Sequence, residues 1–354
     1  MGHIMKLLQM GWKTDSRAKR VRAPIDDGGV QPTAVFSTGQ IAGIQNAGGL
    51  FLEEHTRFYD DLLRSASDLL SEVKQRGTFN KKIGDAIVER ILCIDPDSYH
   101  SLLFVLTQRE CPDHLASHII HCAILTIGFC RSAGFAGAEL REIGMCALVH
   151  DLGMVKYEHL YAQNRRLKEK EYDTIKGHVT QMSSCFHKTF SQQSCDVLLC
   201  VHEREQGQGY LAGRTGNEIP AWSKIIMVFD VYDALIHSRS YRSRYSPFEA
   251  IKVIVQMKKV MFEQEVVKKF IDYMSIYPVG SLVYLNTSEV AVVTRSNLGD
   301  PTRPVVRIVI NSSGKLSTTS LEVNLAKSPL LTIMSAVPED AGLDTGNLFK
   351  LDPS

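Results

Sequence analysis

The sequence predicts a mainly α-helical fold that ends in a small antiparallel β meander. Two observations carry that reading. From Phe51 to about Met274, apolar residues recur every three to four positions, the spacing of one helical face. After Tyr277-Pro278 the period changes, and β-branched runs separated by short polar turns take over.

In chain order, residues 1–50 form a loop-rich segment. Asp26-Asp27-Gly28-Gly29 and Gly48-Gly49 interrupt any periodicity, and residues 4–12 are the one candidate for a short strand. Residues 51–107 read as a helical N-terminal region. Phe51, Phe58, Leu62, Leu63, Ala66, Leu69, Leu70 and Val73 line a first helix, which Arg76-Gly77 stops. Asn80 is placed to cap a second helix carrying Ile83, Ile87, Ile91 and Leu92, and Asp95-Pro96 ends it. A third begins near Ser98. Residues 108–277 continue as helices, with loops at 153–170 and 204–220 and one long amphipathic stretch at 249–274. Residues 278–326 form the β extension, its strands at 281–285, 289–294 and 304–310. Residues 327–354 read as a polar C-terminal tail.

Composition narrows the function. Hydrophobic residues make up 44% and charged residues 22% of the 354, the proportions of a globular chain. A net charge of +1 argues against the broad basic surface of a protein that binds nucleic-acid polymers. Eight cysteines, none in C-x-x-C spacing, read as free thiols in a reducing cytoplasm, not as a disulfide frame or a zinc site. No uninterrupted apolar run reaches the roughly 18–20 residues of a membrane span, and no secretory leader pattern follows Met1. The expectation is a cytoplasmic protein.

The chemistry gathers around His150-Asp151, which closes the apolar run Ile143 to Val149. An imidazole beside a carboxylate at the end of a buried helix needs a partner, because buried charge is costly unless it is paired or holds a metal. Both side chains are also ligands that divalent transition metals accept. Upstream, His114, His118 and His121 stand at i, i+4 and i+7 and share one helical face. One histidine on such a face is ordinarily a satisfied core residue; three ahead of a His-Asp pair are not ordinary. Downstream come His178, His202 and Asp230, the last interrupting the apolar run 225–229. Gly207, Gly209 and Gly213 suit a loop whose backbone approaches something closely.

These motifs, in this order, resemble the HD-GYP branch of the HD phosphohydrolase superfamily over roughly residues 51–325. His118 falls in the first-histidine position of that family's helix, and His150-Asp-Leu-Gly-Met154 is similar to its HDxGK motif. Lys176-Gly-His178 stands where its third histidine is expected. Val201-His-Glu-Arg-Glu-Gln-Gly-Gln-Gly-Tyr210 is similar to its HHExxDGxGYP segment, and Ser238-Arg239-Ser-Tyr241-Arg242 to its RPYR element. The resemblance implies an HD-type helical bundle holding two divalent ions, iron or manganese. His118, His150, Asp151 and Asp230 would hold one ion; Asp151, His178 and His202 would hold the other. It implies hydrolysis of cyclic di-GMP to the linear dinucleotide, and on to GMP, by a hydroxide bridging the metals. His150 and Asp151 would be the catalytic pair. Arg239 and Arg242 would clamp phosphates, Tyr210 and Gly209 would line the guanine pocket, and His121 would orient a ligand.

Four positions depart from the pattern. Val201 replaces the histidine that normally precedes His202, and Met154 replaces the HDxGK lysine. Gln206 and Leu211 stand where the family has Asp and Pro. His114 is a candidate extra ligand one turn before His118, which leaves one, two or three ions open. The expected partner is therefore a cyclic dinucleotide, with a signalling protein or a second copy of the chain as further candidates. The alternatives to a cyclic di-GMP phosphodiesterase are a degenerate family member that senses a nucleotide or binds a protein, and a phosphohydrolase for another nucleotide.

Overall fold

The computed structural model describes residues 49–96, 98–108, 111, 113–163, 165–237, 244–317 and 322–338; the side chains of 49–52 are outside that description. The N-terminal segment before residue 49, with its candidate strand, and both arginines of the RPYR-like element lie outside the described residues.

Three helices lead in: α1 (Gly49–Arg76), α2 (Lys81–Leu92) and α3 (Tyr99–Gln108). Asn80 caps α2, its side chain accepting from the Lys82 N–H at 3.2 Å. The next helix, α4 (His114–Ser132), is the centre of the domain and packs against α1, α5 (Gly137–Val149) and a later helix, α11 (Ala221–Ile236). Asp113 caps α4, accepting from Ala116 N–H at 3.0 Å. Every α4 residue from Leu115 to Cys130 is buried. At 19 residues α4 is long and apolar enough to cross a membrane, contrary to the count of uninterrupted apolar residues, but 89% of its apolar window is buried by neighbouring helices. It is accounted for as a core helix.

After His150-Asp151 the chain makes a 3-10 turn, Leu152–Tyr157, and a series of short helices: α6 (Glu158–Tyr161), α7 (Glu169–Ile175), α8 (His178–Gln181), α9 (Ser183–Thr189) and α10 (Gln192–Cys200). The expected loop at 153–170 thus begins as helix. Packing against α1 makes this possible where local periodicity gave no sign.

The stretch at 249–274 is two helices, α12 (Pro247–Met257) and α13 (Gln264–Met274), not one. No glycine or proline marks the break, and Lys259 adopts φ +70°, uncommon for a residue with a side chain. Tertiary bonds hold the turn: Glu205 N–H donates to Met261 O and Gln206 N–H to Val260 O, both at 3.2 Å. The connection between the last two helices is therefore laced to the loop that follows His202.

The C-terminal unit is an antiparallel sheet in the order β4-β3-β2-β1-β5: β1 (Leu282–Leu285), β2 (Val290–Arg295), β3 (Val305–Ile310), β4 (Glu322–Asn324) and β5 (Ile333–Ala336). Its strands read as β-branched runs because both faces are covered. Leu282, Val290, Val292, Val309 and Ile310 join the helical core, whereas Val283, Ala291, Val293 and Val306 form a small core of their own with Leu325. The polar tail assigned from residue 327 is a correction: β5 lies within it, pairing Val283 with Ala336 and Tyr284 with Ser335. Four residues with two exposed side chains carry no strand signature alone; pairing with β1 makes them one. All eight cysteines are free thiols.

Candidate metal centre

The centre is built where four helix ends and two helix faces meet. His150 caps the C-terminus of α5, and its Nδ1–H donates back to the Ala147 carbonyl at 2.8 Å. His178 does the same after α7, donating from Nδ1 to Ile175 O at 2.7 Å. Each bond satisfies a carbonyl left over at a helix end and fixes the tautomer. With the proton on Nδ1, Nε2 must present a lone pair to the centre. His118 is oriented by another route, its Nδ1–H donating to Asp233 Oδ2 at 2.6 Å, which turns Nε2 toward the centre.

These lone pairs converge on carboxylates. Asp151 Oδ1 lies 3.0 Å from His178 Nε2 and 3.1 Å from His202 Nε2, and those two nitrogens are 3.1 Å apart. His118 Nε2 lies 3.6 Å from Asp151 Oδ2 and 3.5 Å from Asp230 Oδ1. Asp230 Oδ2 is 3.7 Å from His202 Nδ1 and 4.0 Å from the guanidinium of Arg204, which is wholly buried. Buried acceptors facing one another need positive charge between them. His150 Nε2, Asp151 Oδ2 and His202 Nδ1 are buried with no hydrogen-bond partner. Divalent ions fit this donor set of imidazole nitrogens and carboxylate oxygens. Among the described residues, His118/Cys122/His150 and His150/Asp151/His202 each bring three ligand atoms within reach of one ion.

Electrostatics agrees with that chemistry. Burial pushes His202 down to about 3 and also lowers His150, so both stay neutral, as ligands must be. Burial alone would raise Asp151, but the imidazoles of His150 and His178 hold it well below the usual carboxylate range. His118 moves up: burial opposes its charged form, but Cys122, Asp230 and Asp233 outweigh it. The cavity favours a positive charge at that spot.

Two glycines make the geometry possible. A Cβ on Gly153 would overlap the His178 carbonyl oxygen and lie 2.9 Å from its carbon, so the His-Asp-x-Gly turn is also the seat of the third histidine's backbone. A Cβ on Gly209 would lie 2.5 Å from Arg204 N and Glu203 C, so the glycine loop folds tightly onto the segment after His202. Glu203 secures that loop, accepting from the N–H groups of Ala212 and Arg214 at 2.7 and 3.1 Å.

Of the residues singled out in the sequence, His118, His150, Asp151, His178, His202 and Asp230 come together. His114 does not: it is exposed on the first turn of α4 and belongs to none of the groups able to hold an ion. His121 meets Asp233 Oδ1 at 2.6 Å, away from the Asp151 cluster. Tyr210 is buried and stacked on His202 (5.1 Å between centroids, 6° between planes). Gly209 serves backbone packing. Val201 and Met154 are buried among core residues. Sequence reasoning missed Cys122, whose Sγ lies 3.8 Å from His118 Nε2. It also missed Asp233, one turn beyond Asp230 on the same face of α11, a spacing that could have flagged it.

Comparison with known proteins agrees. Residues 107–266 match the HD domain family, and residues 282–341 match the KOW domain associated with HD domain. The cyclic di-GMP phosphodiesterase PA4108 of Pseudomonas aeruginosa is 25% identical over 234 residues, covering 65% of this chain and 56% of that protein. The cyclic di-GMP phosphodiesterase PdeB of Borreliella burgdorferi is 26% identical over 200 residues, 55% of this chain and 53% of its own. The 3'3'-cGAMP-specific phosphodiesterase 1 of Vibrio cholerae is 33% identical over 116 residues, 32% of this chain and 27% of its own. The chain thus spans about half the length, or less, of these curated relatives. The converging His and Asp residues thus lie within the part of the chain that matches the HD domain, and the match to the KOW domain associated with HD domain follows directly behind it.

Proposed function

We propose that this protein is a metal-dependent phosphodiesterase that opens cyclic di-GMP, or a related cyclic dinucleotide, to its linear form in bacterial second-messenger signalling. The observation that carries this is the convergence of His118, His150, His178 and His202 on Asp151 and Asp230 in a buried pocket that calls for cations. His118, His150, Asp151 and Asp230 would hold one ion and Asp151, His178 and His202 a second, iron or manganese on the family pattern. Ions there would lower the pKa of a water and neutralise charge on phosphate oxygens. The protein's own part is to keep His150 and His202 neutral, Asp151 and Asp230 ionised and the side chains aimed. The curated relatives named for cyclic di-GMP and for 3'3'-cGAMP support a cyclic dinucleotide as the substrate class.

A second reading is favoured by Val201 and Met154. Both are buried and apolar where the family has a histidine ligand and a lysine, which is the composition of a site that has given up turnover for nucleotide sensing. Anaerobic turnover of cyclic di-GMP with added iron(II) or manganese(II), with Asp151→Ala as control, separates the two. Turnover lost in the variant supports the enzyme. Binding of the nucleotide without turnover, with either metal, supports the sensor.

A further inference from the structure

Asp233 sits at the centre of a buried hydrogen-bond chain that leaves the metal centre and ends on the N-terminal helix. A carboxylate can only accept, so each imidazole facing it brings a proton. His118 Nδ1–H donates to Oδ2 at 2.6 Å and His121 Nδ1–H donates to Oδ1 at 2.6 Å. His121 Nε2 is therefore an acceptor, and it takes the hydroxyl proton of Tyr59, on α1, at 2.5 Å. The Tyr59 ring lies nearly parallel to His121 at 5.6 Å, and neither residue is exposed beyond 1%. His121 also stacks on His237 at 4.5 Å, and His237 Nδ1 lies 2.9 Å from Asp233 Oδ1. His121, Asp233 and His237 could hold an ion by spacing alone. Each nitrogen that would bind it, however, already faces Asp233, and His121 and His237 place their remaining nitrogens on Tyr59 and Leu106 O. The cluster is a hub of hydrogen bonds.

We propose that Tyr59 is a positioning residue for the metal centre, acting through His121 and Asp233 on His118. This rests on the metal-dependent reading above. The phenol holds His121 in the tautomer whose Nδ1–H faces Asp233. Asp233, so anchored, aims His118 and makes its Nε2 a better donor to an ion, the arrangement in which a carboxylate backs a ligating histidine. Without the hydroxyl, His121 can move its proton to Nε2, and Asp233 loses one of its fixed donors. Docking of α1 and affinity for metal are then one property. A signal that shifts α1 reaches the centre through three hydrogen bonds.

The test is Mn(II) affinity, measured by competition with a chelator, in the full-length protein. Tyr59→Phe keeps the ring and removes only the hydroxyl; it should weaken Mn(II) binding about 10-fold, as loss of an outer partner of a ligand does. Ile87→Val, in α2 and buried away from the chain, controls for general loss of stability and should leave affinity unchanged. In an Asp233→Asn background, where the link is already cut, adding Tyr59→Phe should cause no further weakening. Wild-type affinity in Tyr59→Phe, equal weakening in Ile87→Val, or additive effects with Asp233→Asn would each overturn the proposal while leaving the phosphodiesterase reading intact. Failure of the wild-type protein to bind either Mn(II) or, under anaerobic conditions, Fe(II) would overturn both.

Discussion

Gly153→Ala probes the seat of His178 directly. The new Cβ would overlap the His178 carbonyl oxygen and stand 2.9 Å from the carbonyl carbon, whereas nonbonded carbons rest at about 3.5–4.0 Å. Relief of the carbon contact alone needs a movement of about 0.6 Å, and the oxygen needs more. Both partners are backbone, so no flexible side chain can absorb it. Overpacking of this kind costs about 1–3 kcal/mol. At about 2–4 °C per kcal/mol for a domain of this size, the expected fall in Tm is about 2–12 °C. The functional effect is larger. His178 is held 3.0 Å from Asp151, and a misplacement approaching 1 Å at a reacting centre can cost about 100-fold in turnover. Calorimetry of the metal-free protein and metal content after dialysis against Mn(II) measure the two effects. An alanine variant with unchanged Tm and full metal content would show that the turn after Asp151 does not seat the third histidine.

Gly209→Ala should act in parallel on His202, since its Cβ would meet the Glu203 and Arg204 backbone at 2.5 Å; weaker Mn(II) binding with loss of the glycine loop's amide protection in hydrogen exchange is the expected result. Arg204→Leu removes a wholly buried guanidinium 4.0 Å from Asp230, and the metal-free protein should lose about 3–5 kcal/mol in denaturant titration, part of it restored by Mn(II). His237 should give stability an alkaline limit. Burial pulls its pKa down but Asp233 outweighs it and raises it. A raised folded value stabilises fully below the unfolded pKa of about 6.5 and is lost as pH climbs through the folded one. Tm should fall over that interval, and His237→Gln should flatten the slope.

Local pattern carried much of this fold, and its failures have physical causes. The switch from helix to strand after Pro278 is a change in period, which neighbouring residues express without help from the rest of the chain. His118, His150, Asp151 and Asp230 were legible because imidazole and carboxylate are conspicuous in or beside apolar runs, whereas His178 and His202 stood out only through their resemblance to the family's motifs. Tyr59 was not: it lies 62 positions from His121, beside Phe58 on an ordinary apolar face, and nothing local says that its hydroxyl meets an imidazole. The break at 258–263 was illegible for a similar reason. Its φ of +70° at Lys259 is held by amides of residues 205 and 206, more than fifty positions earlier. For His114, helical spacing gives the face it shares with His118, but not that the first turn of α4 is exposed, which depends on how the helix packs.

The order of the sheet has a consequence for any shortened version of this chain. β5 covers the outer side of β1, so the last strand in sequence guards the first. Cutting the chain at residue 326 would keep every residue of the helical domain and of four strands, yet it would remove Val337 from the core and bare the N–H and C=O groups of Leu282–Leu285 along an apolar edge. Open edges of that kind recruit strands from other copies. Such a fragment should self-associate through β1, and a charged residue facing outward there should keep it monomeric.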